Sequence, residues 1–313
     1  MNEITVAALQ QGCGPDKSDN LAESERLIRD AASQGARLIV LQELHGTRYF
    51  CQTEDPSVFD LAESLQGPTR QRLSALAAEL SVVIVGSVFE KRMPGVFHNT
   101  AMVLDTDGSL AGCYRKMHIP DDPGFYEKFY FTPGDAMGEQ PLGGFSPVDT
   151  AIGRLGVLVC WDQWYPEAAR LMALAGAEIL IYPTAIGWDP DDNEAEKQRQ
   201  REAWITVQRG HAIANNLPLI APNRSGHEPS PDPASAGINF WGSSFICGPQ
   251  GEFLASAGET GATALVARIE PDRTERLRRM WPYLRDRRID AYQGLLQRVR
   301  DHTERSTGRN SKL

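Results

Sequence analysis

The chain has 313 residues, of which 41% are hydrophobic and 23% charged, and its formal net charge is −9. This is ordinary globular composition and excludes a disordered chain; the length suits one large α/β domain or two average ones. An acidic surface repels nucleic acid and anionic membranes and favours small cations, so neither nucleic acid nor membrane is expected as a partner.

The first residues, MNEITVAALQ, carry Glu3 and only a short apolar run, without the basic start and apolar core of a signal peptide. No apolar stretch approaches the roughly 18 residues of a membrane helix. Residues 4–9 read as a first strand. Ser18 is placed to cap a helix over 18–33, with Leu21, Leu27, Ile28 and Ala31 at helical spacing and Gly35 as its stop. Residues 38–41 read as a buried strand, 69–80 as a helix with Leu73, Leu76, Ala77 and Leu80 on one face, and 82–89 as a β-branched strand. Asp105 to Gly108 is a hairpin signal between strands at 99–104 and 109–115. Residues 116–147 are rich in proline, glycine and aromatics and read as a long functional loop. Strands follow at 155–159, 179–182, 217–221, 243–247 and 262–269, with helices at 166–175 and 198–215. The acidic run 189–196 reads as a solvated loop, with cation steering toward the site as the lesser alternative. Alternating helices and strands imply a layered α/β protein.

No repeat or Pro/Ser-rich linker divides the chain. Residues 1–270 are therefore expected to form one domain, and 271–313 an extension packed on it or on a partner subunit. The extension carries seven arginines between Arg273 and Arg288, read as a solvated or subunit-contacting face, and ends in RSTGRNSKL, expected to be frayed. Five cysteines (Cys13, Cys51, Cys113, Cys160, Cys247) are widely spaced, with no C-x-x-C pair for zinc or redox work. A reduced, cytoplasmic context is the expectation.

The strongest local feature is an apolar strand ending at Cys160, with a helix opening at Pro166. A nucleophile on such a strand-to-helix turn stands at the rim of a sheet beside free backbone N–H groups, and a helix N-terminus favours a thiolate. A buried core cysteine would give the same short pattern. Glu43 follows the strand 38–41 and Lys116 follows the strand ending at Arg115, so three chemically competent groups terminate three strands. Strand ends are where α/β sites form.

Four blocks, LIVLQELHGTRYF, YRKMHIPDDPGFYEKFYFTPGD, GVLVCWDQWYPEAARLMALAGAEILIYPTAIG and FWGSSFICGPQGEF, resemble the nitrilase superfamily of carbon–nitrogen hydrolases. The resemblance runs from the first strand to about residue 290, and is closest to the branch acting on N-carbamoylputrescine. It implies a four-layer α-β-β-α sandwich that forms homo-oligomers through its outer helices and C-terminal segment. It places the family's catalytic Glu, Lys and Cys on Glu43, Lys116 and Cys160, and a second glutamate on Glu127. In that chemistry Glu43 takes the thiol proton, Lys116 and the backbone N–H of Trp161 hold the oxyanion, and Glu127 orients Lys116; no cofactor or metal takes part.

A small cationic ureido substrate needs an acid at its far end and an apolar channel. Asp121, Asp122 and Asp162, with Tyr49, Tyr130 and Trp188, are the candidates, although acids in loops serve equally as turns and caps. His45 and His118 are expected to hydrogen-bond within the site. An amidase or ω-amidase acting on another linear amide, and a catalytically silent binding scaffold, are the competing functions.

Overall fold

The fold is described by a computed structural model over residues 3–136 and 144–300. The terminal RSTGRNSKL and part of the long loop lie outside the described residues. The strands are β1 (Ile4–Gln10), β2 (Leu38–Val40), β3 (Val83–Met93), β4 (Val96–Leu104), β5 (Leu110–Arg115), β6 (Val148–Thr150), β7 (Gly153–Val157) and β8 (Ile179–Ile181). They continue with β9 (Gly187–Trp188), β10 (Leu219–Ala221), β11 (Ser225–Glu228), β12 (Ile238–Trp241), β13 (Phe245–Cys247), β14 (Phe253–Ser256) and β15 (Thr263–Ile269). The helices are α1 (Lys17–Ser33), α2 (Pro68–Leu80), α3 (Glu127–Tyr130), α4 (Pro166–Leu174), α5 (Glu194–Asn215) and α6 (Pro271–Met280).

One six-stranded sheet has the order β15-β1-β2-β3-β4-β5 and a second the order β14-β13-β10-β8-β7-β6. Strand alternation explains why they stack. Val6, Ala8, Leu38, Val40, Val83 and Val85 point to the inner face and pack against Leu155 and Val157 of the second sheet. The residues between them, Ala7, Leu9, Ile39 and Ile84, point outward onto Leu27 and Ile28 of α1 and Leu73 and Leu76 of α2. On the far side Ala169 and Met172 of α4 and Trp204 and Ala212 of α5 cover the second sheet. The chain is thus the four-layer α-β-β-α sandwich that the resemblance implies. Gly156 lets α4 approach β7: a Cβ there would sit 2.9 Å from the Ala177 Cβ and 3.1 Å from the Met172 Cβ.

The expected elements are present with shifted ends, and some are new. Asp16, not Ser18, caps α1, its carboxylate accepting from the N–H of Ser18 and Asp19. The acidic run is not all loop: Asn193 caps α5 through the N–H of Glu196, so the helix opens at Glu194 and draws two glutamates into its first turn. A three-stranded sheet, β11-β12-β9, was not expected at all. All five cysteines are free and buried. Among the described residues no helix is long and apolar enough to cross a membrane.

Candidate active site

Glu43 lies three residues past β2, Lys116 directly past β5, and Cys160 three residues past β7. The first two belong to one sheet and the third to the other, and their strands end at the same rim. Lys116 is fully buried, and its Nζ donates to Glu43 Oε1 (2.9 Å) and to Glu127 Oε2 (2.7 Å). Glu127 is brought there by the four-residue helix α3. Asn99 of β4 donates from Nδ2 to Glu43 Oε1 at 2.6 Å, while Glu43 Oε2 is buried with no hydrogen-bond partner among the described residues.

Cys160 opens a short 3-10 turn at φ +43°, the left-handed region that L residues rarely adopt. Such strain persists only where surrounding contacts dictate it. Here the Cys160 N–H donates to Pro183 O (2.9 Å). Asp162, two residues on, accepts from the Val159 N–H (2.9 Å), the Tyr114 hydroxyl (2.8 Å) and the His118 N–H (3.1 Å). The turn is therefore stapled to the segment that carries Lys116.

The electrostatics correct one expectation. Burial pushes the Cys160 thiol well above its ordinary value, Glu43 adds to the rise, and Lys116 opposes it without prevailing. The opening of α4, six residues on, does not make a resting thiolate. Burial works against the Lys116 ammonium, but Glu127 and Glu43 outweigh it and hold the amine charged. Glu127 is pushed up to about 7 by burial, with Lys116 pulling down and Glu43 pushing up.

A cavity of about 440 Å³ opens onto Cys160 and Glu127. Its wall carries Phe125, Trp161, Trp164 and Trp241, and also Asp122, Asp189 and Asp192. Of the substrate contacts expected from sequence, Trp161 and Asp122 line this wall. The others are placed elsewhere. Asp121 is exposed, 3.9 Å from Lys128 Nζ. Asp162 is fully buried and consumed by its staple. Tyr49 is buried behind Glu127 and donates from its hydroxyl to Glu127 Oε1 at 2.8 Å. Tyr130 sits in an aromatic cluster, donating to Thr53 O (2.5 Å) and accepting from the Asp55 N–H (2.8 Å). Trp188 donates from Nε1 to Lys197 O (2.8 Å). His45 is buried beside Ser24 Oγ (3.1 Å) and pushed down to about 3, chiefly by burial. His118 stacks on Tyr165 with Nδ1 2.7 Å from Asp162.

Sequence reasoning missed Asn99 and a buried Arg224 beneath Glu43, while Asp189 and Asp192 belong to the acidic run whose alternative reading is to steer a cation toward the site. Arg224 follows the apolar strand β10 as Glu43 follows β2, so the rule that found Glu43 would have found it.

The carbon–nitrogen hydrolase family model matches residues 5–279. The chain is 46% identical to an N-carbamoylputrescine amidase of Solanum tuberosum, across 94% of this chain and 95% of that one. It is 39% identical to a citrullinase of Francisella tularensis, across 95% of this chain and the whole of that one. A crystal structure of a carbon–nitrogen hydrolase from Helicobacter pylori superposes with a TM-score of 0.91 at 53% identity, covering 96% of this chain and all of that one.

Proposed function

Since the chain belongs to the carbon–nitrogen hydrolase family, we propose that it hydrolyses N-carbamoylputrescine to putrescine, carbon dioxide and ammonia, with Cys160 as nucleophile. The observation that carries the reading is the buried Lys116 ammonium held between Glu43 and Glu127, beside a strained cysteine that lines a cavity.

The resting sulfur is a thiol, so its proton must leave as it attacks. Glu43 takes that proton while Sγ bonds to the ureido carbon and the carbonyl pair moves onto oxygen. The Lys116 ammonium and the backbone N–H of Trp161, in the first turn after Cys160, hold that oxyanion; one such donor is worth about 3 kcal/mol. Collapse expels the terminal nitrogen, which leaves as ammonia with the proton from Glu43, and a carbamoyl thioester remains on Cys160. Water, deprotonated by Glu43, attacks the thioester and releases the thiol and a carbamate. The carbamate then breaks into carbon dioxide and the amine. Glu127 fixes the ammonium at 2.7 Å and faces the cavity, orienting both.

Asp122, Asp189 and Asp192 favour a far end that is cationic, as in a carbamoylated diamine, over one bearing a carboxylate. The test is ammonia release from N-carbamoylputrescine, L-citrulline and glutaramate, by wild type and Cys160→Ala. Turnover of the first substrate alone, abolished in the variant, is the expected result. An inert carbamoyl diamine beside a hydrolysed citrulline or glutaramate refutes the substrate; turnover by the variant refutes the nucleophile.

Leu171 and Leu174 on α4, and Met280, Trp281, Leu295 and Leu296 beyond residue 271, are exposed large apolar side chains of the kind a second copy would cover. This supports a homo-oligomer.

A further inference from the structure

Four acceptors converge on one guanidinium. Arg224, fully buried just past β10, donates from Nη2 to Glu43 O (3.1 Å) and Leu44 O (2.9 Å), and from Nη1 to Thr47 O (2.8 Å) and Glu228 Oε1 (2.6 Å). Leu44 is itself left-handed, at φ +49°. The second oxygen of Glu228 accepts from the Tyr49 N–H at 2.6 Å. Tyr49 in turn reaches Glu127 Oε1 through its hydroxyl, at 2.8 Å. The rings of Phe240 and Tyr49 close the assembly, with the Arg224 Cζ 5.3 Å from the Phe240 centroid.

We propose that the Arg224–Glu228 pair is a positioning device that sets both carboxylates flanking Lys116, holding Glu43 by its backbone and Glu127 through Tyr49. The inference rests on the proposed role of those carboxylates and deepens it. Glu43 stands on a connection whose left-handed residue would relax if left to itself, and the guanidinium fork is the group whose shape spans three carbonyls at once. Glu228 gives the buried cation its counter-charge and spends its other oxygen on the chain that carries Tyr49. One ion pair thus fixes two acids that reach the site from distant parts of the sequence. A lysine at 224 would supply charge without the fork, so it is expected not to restore the geometry.

The experiment uses Arg224→Lys, Glu228→Gln, Tyr49→Phe and the double variant Glu228→Gln/Tyr49→Phe in the full chain. Three readouts are taken: kcat and KM for ammonia release, the rate of Cys160 alkylation by iodoacetamide against pH with intact-mass localisation, and the melting temperature. Displacement of a catalytic group by about 1 Å costs up to about 100-fold in rate. The expected result is a 10- to 100-fold fall in kcat with KM within about threefold, and a shifted alkylation profile, in variants that remain folded at the assay temperature. The double variant should lose no more than the worse single one, because both substitutions cut the same relay. If Arg224→Lys fails to fold, Tyr49→Phe and Glu228→Gln carry the test alone. Folded variants with wild-type kcat and an unmoved alkylation profile overturn the proposal, as do fully multiplicative losses in the double variant. Should wild type leave N-carbamoylputrescine untouched, the substrate reading fails, while the alkylation profiles still decide whether the pair acts on the site.

Discussion

Glu127→Gln isolates the cost of burying an acid against the cation it serves. Glu127 has an ordinary value of 4.5 and is held at about 7 in the folded chain, chiefly by burial. A raised acid adds stability that is fully present below 4.5 and is lost as pH climbs through about 7, because over that window the native state holds the proton the unfolded chain releases. The loss amounts to about 3 kcal/mol. Glutamine keeps the shape and cannot ionise, so the variant lacks this decline. His45 acts with the opposite sign: burial, helped by Arg224 and Lys17, takes it from 6.5 to about 3, so its contribution to stability grows as pH rises between those values. The decisive quantity is therefore the difference between wild type and variant. Urea unfolding of both at a fixed protein concentration, in steps from pH 4.5 to 8, should show the variant gaining on wild type by about 3 kcal/mol. A difference that stays constant within about 1 kcal/mol across the window refutes the reasoning and places Glu127 as an ordinary ionised partner of Lys116.

Asp192→Asn removes one rim charge at a partly exposed position, and should raise KM for N-carbamoylputrescine about three- to tenfold with kcat little changed. The gap should narrow in high salt, which steady-state kinetics at two ionic strengths would read. Tyr130→Phe loses the bonds to Thr53 and Asp55, away from the cavity, and should cost about 1–2 kcal/mol in urea unfolding while leaving kcat/KM unchanged. Light scattering of the wild type should give a mass of at least two chains, and Trp281→Glu/Leu296→Glu should lower it; both side chains are more than half exposed on the single chain.

What the sequence revealed follows from how each feature marks the chain. Cys160, Glu43 and Lys116 were legible because a polar group that ends an apolar run interrupts a pattern, and the pattern also says which rim it occupies. α1 and α2 were legible because their apolar residues recur at helical spacing over several turns. Strands β9, β11 and β12 have two to four residues, with Gly, His, Glu and Asn among them, and neither alternate nor run apolar. Glu228, the last residue of β11, therefore carries no mark in the sequence, whereas Arg224 follows the apolar β10 as Glu43 follows β2. Glu127 came from the resemblance alone, since a four-residue helix leaves no periodic trace. Tyr49, Tyr130 and Asp121 were near the right elements, but the direction of a loop side chain depends on contacts that no local spacing encodes. Tyr49 turned inward to Glu127 and Asp121 outward to Lys128.

The meeting of Cys160 with Glu43 and Lys116 is a property of the sheet interface and not of either chain segment. Glu43 and Lys116 leave the first sheet and Cys160 leaves the second, so their register depends on how the inner faces meet. The apolar layer of Val6, Val40 and Val85 against Leu155 and Val157 sets that distance. Apolar packing alone does not resist sliding, because it is not directional. Asp162 supplies the direction: it belongs to the Cys160 turn, yet accepts from Tyr114 of β5 and from the backbone of His118, on either side of Lys116. A sub-ångström slip of one sheet would have to break those buried bonds, and each broken one leaves a polar group stranded without water. The polar staple and the apolar interface therefore do one job together, which is to hold Cys160 in register with Lys116 before any substrate arrives.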